Sequence, residues 1–155
     1  MKQNYLEWVD SLVLKHKVSR FKASIKVNVE FLNYLYELGK EINTSNFKKD
    51  YGDKIYDVLA EEFKKKGFGN LIYSADNLRY VEQFYILYKN QFTKLSEEFA
   101  LLSWSHHRLI VERCSNDFEK AWFYIKEAIT QKWEQEQLFE ALNSDLYEKR
   151  KEEGN

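Results

Sequence analysis

Proline is absent from the 155 residues, and glycine occurs only five times. Both residues interrupt helices, so their scarcity favours long helical segments. The single cysteine, Cys114, rules out a disulfide within the chain, and a reducing compartment fits it best. No apolar run approaches the length of a membrane span, and the start lacks a signal-peptide core. A cytoplasmic protein with no membrane partner is therefore expected. The formal net charge is only -1, which excludes a global pull toward nucleic acid or anionic lipid. What the chain does have is aromatic side chains, at 17%. They must fill a core or form a contact surface. The length suits one domain, read here as 1–150 with a charged tail at 151–155.

Charge is unevenly placed. Between Ser11 and Val29 stand five cations, Lys15, Lys17, Arg20, Lys22 and Lys26, and no acid. The last third carries Glu134, Glu136, Glu140, Asp145, Glu148, Glu152 and Glu153.

Helical periodicity recurs along the chain. A first helix is predicted from Tyr5 to about Leu14, with Leu6, Val9 and Val13 on one face; it can continue into the next. The second, about Ser19 to Ile42, is the longest. One stripe holds Phe21, Ile25, Val29, Leu32, Leu35 and Tyr36, and the adjacent one Val27, Phe31, Tyr34 and Leu38. An apolar arc that wide must be covered by other helices, its own or a neighbour's. At 1.5 Å per residue the rod is roughly 35 Å long, which favours self-association through Val27, Phe31, Tyr34 and Leu38. Asn28 falls inside this arc, either fixing the register of paired helices or capping a loop of its own subunit.

A third helix is predicted from about Asp53 to Lys66, with Gly67 ending it. Ser74 is the expected N-cap of a fourth, carrying Leu78, Val81, Tyr85 and Tyr88. Ser103 or Ser105 caps a fifth from His106 to about Arg113, and Asn116 or Asp117 starts a sixth. A seventh begins near Glu134 and carries Leu138, Leu142 and Leu146. No strand is predicted. The expected fold is all-α, a compact bundle of six or seven helices with one long central helix. Trp8, Trp104, Trp122 and Trp133 are read as core anchors.

The third and fourth helices form a helix-turn-helix-like pair, in which Asn77, Arg79, Tyr80 and Gln83 would face base edges. Its connection is longer than the usual turn. The basic run Lys15, Lys17, Arg20, Lys22 and Lys26 is the better candidate for phosphate contact. Catalytic signals are weak. His106 and His107 are adjacent and point about 100° apart on a helix, so they cannot grip one metal. His106 is expected in cap-side or core packing near Trp104, and His107 in solvent. Glu62 and Lys64 match half of a nuclease motif but lie on a helix with no partner aspartate. Cys114 lacks an activating base. No metal site, cofactor or catalytic residue is assigned.

Several short motifs, none specific alone, stand in a characteristic order. They are Tyr5-Leu6-Glu7-Trp8, Leu35-Tyr36-Glu37-Leu38-Gly39-Lys40, Tyr51-Gly52-Asp53-Lys54, Gly67-Phe68, and Asn77-Leu78 with Gln83-Phe84-Tyr85. Leu102-Ser103-Trp104-Ser105-His106, Ala121-Trp122-Phe123-Tyr124-Ile125 and Trp133 complete the set. Together they resemble the amino-terminal domain of the YhcG-type PD-(D/E)XK nucleases, without the nuclease domain. The resemblance implies an all-helical accessory module that helps a nuclease bind DNA or assemble. It transfers no catalytic residue. One departure is that Ser74 to Tyr80 offers a single arginine beside an aspartate, where the family's fourth helix is more basic. The expected function is a non-catalytic module for DNA association, oligomerisation or both. The expected partners are further copies, double-stranded DNA, and a nuclease or methyltransferase. The other reading is a protein-interaction scaffold with no nucleic-acid contact.

Overall fold

A computed structural model describes residues 2–154, with side chains from Asn4 onward. The two helices predicted at the amino end are one. Helix α1 spans Lys2–Thr44 without a break, 43 residues or roughly 65 Å of rod. Nothing between the two segments could interrupt it, since the first glycine of the chain is Gly39. Ser45 then turns the chain, and its hydroxyl accepts from Phe47 N to cap the short α2, Asn46–Tyr51. That helix was not foreseen.

A 3-10 turn at Gly52–Lys54 leads into α3, Ile55–Lys65. Gly67 ends it with φ +91°, a conformation that suits glycine. Phe68 N donates to Phe63 O at 2.8 Å and Gly67 N to Lys64 O at 3.1 Å, the paired bonds of a Schellman stop. A second 3-10 turn, Leu71–Tyr73, precedes α4, Ala75–Tyr88. Ser74 caps α4 as predicted, accepting from Asn77 N at 3.2 Å. A 3-10 segment, Glu97–Leu101, connects to α5, Trp104–Arg113, and Ser103 is its cap. Asp117, not Asn116, caps α6, Phe118–Thr130. A reciprocal box between Glu134 and Gln137 opens α7, Gln135–Asn143. The predicted seventh helix is divided, because Asp145 adopts φ +56° and starts α8, Leu146–Glu153. The expected charged tail is thus helical to Glu153. Among the described residues the fold is all-α, with seven helices of eight residues or more plus α2.

The carboxyl half of α1 lies along α4, and α4 takes the innermost place in the bundle. Leu78, Val81, Phe84, Leu87 and Tyr88 are buried on it. All but Leu78 share one cluster with Leu32, Leu35 and Tyr36 of α1, Ile110 and Val111 of α5, and Tyr124 and Ile125 of α6. Burial of each such side chain contributes about 1.5–3 kcal/mol. Phe84 is the hub, edge-on to Tyr36, Tyr88 and Trp104 at ring separations of 6.0, 5.5 and 5.2 Å. A smaller cluster of Ile42, Ile55, Tyr56 and Leu78 fixes α3 against the α1–α4 pair.

The sheath expected around the long rod is only half present. From Leu32 onward the Phe21–Leu35 stripe is buried, and Ile25 and Val29 are half-buried. Phe21 is 60% exposed, and so is most of the helix before it. The rod leaves its own body behind.

Candidate functional site

The amino half of α1 is a projecting arm. From Asn4 to Ser24 every described residue is exposed except Val9, which is half-buried. Its apolar side chains form two rows. Leu14, Val18 and Phe21 follow heptad spacing and prolong the seam of Ile25, Asn28, Leu32 and Leu35 that seats on the body. Tyr5, Leu6, Val9, Leu12 and Val13 occupy the opposite side, by 100° per residue. Tyr5 and Trp8 pack on each other with ring centroids 6.2 Å apart. Trp8 is therefore not the core anchor expected of it. Trp104 is buried, and Trp122 and Trp133 pack partly buried against the core, as expected.

Asn28 marks where the arm leaves. Its amide donates to Ala100 O and Leu102 O, both at 2.9 Å, so it caps the loop of its own subunit. Five residues on, Asn33 Oδ1 accepts from Leu95 N at 3.0 Å. These bonds pin α1 to the segment after α4; beyond them Phe21 and Lys22 only border an open pocket with Glu97, Glu98 and Leu101, and the helix before them stands clear.

The predicted interface stripe divides accordingly. Val27 points into solvent. Phe31 and Leu38 pack partly buried on their own core, so they are not free interface residues. Tyr34 is exposed, and its hydroxyl meets Tyr73 Oη at 2.8 Å. The five arm cations, Lys15, Lys17, Arg20, Lys22 and Lys26, are all exposed. None of them forms an ion pair among the described residues.

The helix-turn-helix reading fares differently. Helix α4 is enclosed by α1, α3 and α5, so it cannot enter a groove. Asn77 is only 2% exposed. Its Oδ1 accepts from Trp104 Nε1 at 2.9 Å and from Arg108 at 3.3 Å, and its Nδ2 donates to Ile72 O at 2.7 Å. Buried and bonded at both amide atoms, it is closed off from a base. Arg79 pairs with Asp76 at 3.3 Å and lies over the Tyr56 ring. Gln83 and Tyr80 are half-buried. The structure brings the arm cations together on one rod and keeps the α4 residues apart from them.

No cluster of His, Cys, Asp and Glu able to hold a metal occurs among the described residues. His106 sits as expected, its ring nitrogens bonded to Ser103 Oγ at 2.7 Å and Trp133 O at 2.8 Å. Cys114 is buried, which pushes its thiol up to about 12, far from a nucleophile's range. Glu62 only meets Lys65, at 3.4 Å.

His107, expected in solvent, is fully buried, with Nε2 2.7 Å from Phe99 O. That carbonyl can only accept, so Nε2 carries the proton. Nδ1 has no partner. Burial lowers the imidazole to about 4 from its ordinary 6.5. The unfolded chain thus takes up this proton first as the pH falls. The stability held above pH 6.5 should decline between 6.5 and about 4, by about 3 kcal/mol, and level off below. His107→Gln keeps a donor for Phe99 O without the titration. Urea melts across this window should give a smaller pH dependence for the variant; equal slopes would contradict the assignment.

Sequence reasoning missed Glu82. It lies on α4 with 1% exposure, accepting from Asn43 Nδ2 at 3.0 Å and from the Tyr56 hydroxyl, and paired with Lys48. One acid ties α1, α2 and α3 to α4. With every contact internal, its role is structural.

Searches of curated proteins and of solved structures found no match. A family model does match, over residues 12–149, which is nearly the whole chain. It covers the buried body together with the cationic part of the arm. The chain belongs to the DUF1016 N-terminal domain family, the amino-terminal domain of the YhcG-type proteins.

Proposed function

We propose that this chain is a non-catalytic assembly module that joins copies of itself through the bare amino half of α1. One observation carries the reading: a projecting helical arm sets Tyr5, Leu6, Trp8, Leu14, Val18 and Phe21 in water. Apolar surface of that extent on a small domain marks an interaction site. Most of a helix's stability in a protein comes from packing its apolar face, so covering the arm favours both the contact and the helix itself. Sedimentation velocity on the full chain tests the reading. The chain should associate, and Leu14→Glu/Val18→Glu/Phe21→Glu should sediment as a monomer with its body intact. Monomeric wild-type chain up to about 1 mM, where a dimer would be worth only about 4 kcal/mol, would refute it.

Association with double-stranded DNA is a second reading, favoured by five exposed cations of α1 that form no ion pair among the described residues. Each phosphate neutralised adds about -0.9 to the slope of log affinity against log salt. Binding with a slope near -3 to -5 at low salt, weakened by charge reversal at Lys15 and Lys22, would support it. Absence of binding at low salt would remove it.

A further inference from the structure

The chain segregates its charge in two single-sign stretches. Ser11 to Val29 has five lysines and arginines and no acid, and Glu134 to Glu148 has five acids and no base. The first lies on the arm. The second covers α7 and the start of α8, which pack on α5 and α6. The outer face of α7 has a feature that a solvated helix does not need. Phe139 stands 46% exposed between Glu136 and Glu140. With Leu109 of α5 and Gln135 it lines an open groove of about 410 Å³. Arg113 lies against one end of Phe139, 5.9 Å from the ring, and is bonded to Asn143.

We propose, resting on the self-assembly reading above, that the arm of one copy seats in the α5–α7 groove of a second copy. The two surfaces match in kind. On the arm, Leu14, Val18 and Phe21 form a narrow apolar row. Lys17 flanks it on one side, and Lys15 and Lys22 on the other, by 100° per residue. In the groove, Phe139 and Leu109 are flanked by Glu136 and Glu140. Neither glutamate has an ion-pair partner within the chain among the described residues.

The arm's own groove is out of reach. Helix α1 has no glycine before Gly39 and no proline, and its carboxyl half is clamped along α4, so no hinge can fold the arm back. Direct pairing of two arms is disfavoured by charge. An antiparallel pair that sets Leu14 against Val18 brings Lys15 and Lys17 onto their symmetry mates. A parallel pair aligns all five cations with themselves. Seating the arm in the groove sets the same cations against carboxylates, which fixes partner and orientation.

Charge exchange tests this arrangement. Glu136→Lys/Glu140→Lys lies on an exposed face, and Lys15→Glu/Lys17→Glu lies on the exposed outer arm, before the pocket that Phe21 and Lys22 share with Glu97, Glu98 and Leu101. The second pair therefore leaves the core untouched. Each variant alone should raise the dimer dissociation constant at least tenfold. Mixing the two should restore association, since each offers the surface that complements the other. Wild-type association by either variant alone, or no recovery on mixing, would overturn the groove assignment. A wild-type chain that stays monomeric would instead strike at the assembly reading beneath it.

Discussion

Lys48→Met is expected to destabilise the chain by about 3 kcal/mol, the low end of the cost of breaking a buried ion pair. Glu82 is 1% exposed, so its carboxylate depends on the partners that the fold supplies. Three donors converge on it: Asn43 Nδ2, the Tyr56 hydroxyl and Lys48 Nζ. Methionine matches the lysine stem in bulk but leaves the carboxylate without the cation paired to it. The low end applies because the Lys48 side chain keeps 28% exposure and water can partly replace it. Glu82→Gln in the same chain should recover much of the loss, because the charge that needed the lysine is gone. Chemical denaturation of the two single variants and the double variant gives the coupling directly. A loss below about 1 kcal/mol for Lys48→Met would mean that the pair behaves as a surface bridge.

Gly39→Leu is expected to cost more than Gly39→Ala, and both should destabilise. Helix propensity alone predicts the reverse for alanine, a gain of about 1 kcal/mol over glycine. Packing decides against it. A Cβ on Gly39 would collide with the backbone carbonyl of Val81 and lie 2.9 Å from Tyr85 Cβ. A carbonyl within α4 cannot rotate aside, so α1 and α4 must move apart along their longest contact. Overpacking of this kind costs about 1–3 kcal/mol for the smaller change, and leucine adds bulk that the crossing cannot take. Thermal melts of the two variants would show the order. An alanine variant as stable as the parent would mean that the crossing is looser than its geometry.

Much of the fold was readable because its signals are local. Ser74, Asp117 and Glu134 cap helices, and Gly67 stops one, through bonds within a few residues of themselves. The break at Asp145 was not readable, since nothing marks that aspartate for a left-handed turn before the chain folds around it. His107 and Glu82 were legible in principle. His107 lies three residues after Trp104 and three before Ile110, and Glu82 four after Leu78, so both fall on apolar faces at helical spacing. Reading His107 beside His106 as a pair hid its face. The arm could not be foreseen. Periodicity shows that a helix is apolar over a wide arc, but it does not say that the body ends at Ile25. Asn77 was misjudged for the opposite reason. Asn77 looked polar and free, yet polar side chains also serve to join helices within a core.

Hydrogen exchange along α1, followed as a function of protein concentration, tests the arm's role most directly. Amides from Leu32 to Ile42 should be protected at every concentration, since the body covers them. Those from Leu6 to Phe21 should exchange quickly in dilute solution and slow together as copies dock. Arm amides that exchange at the same fast rate from dilute to concentrated protein would contradict the account.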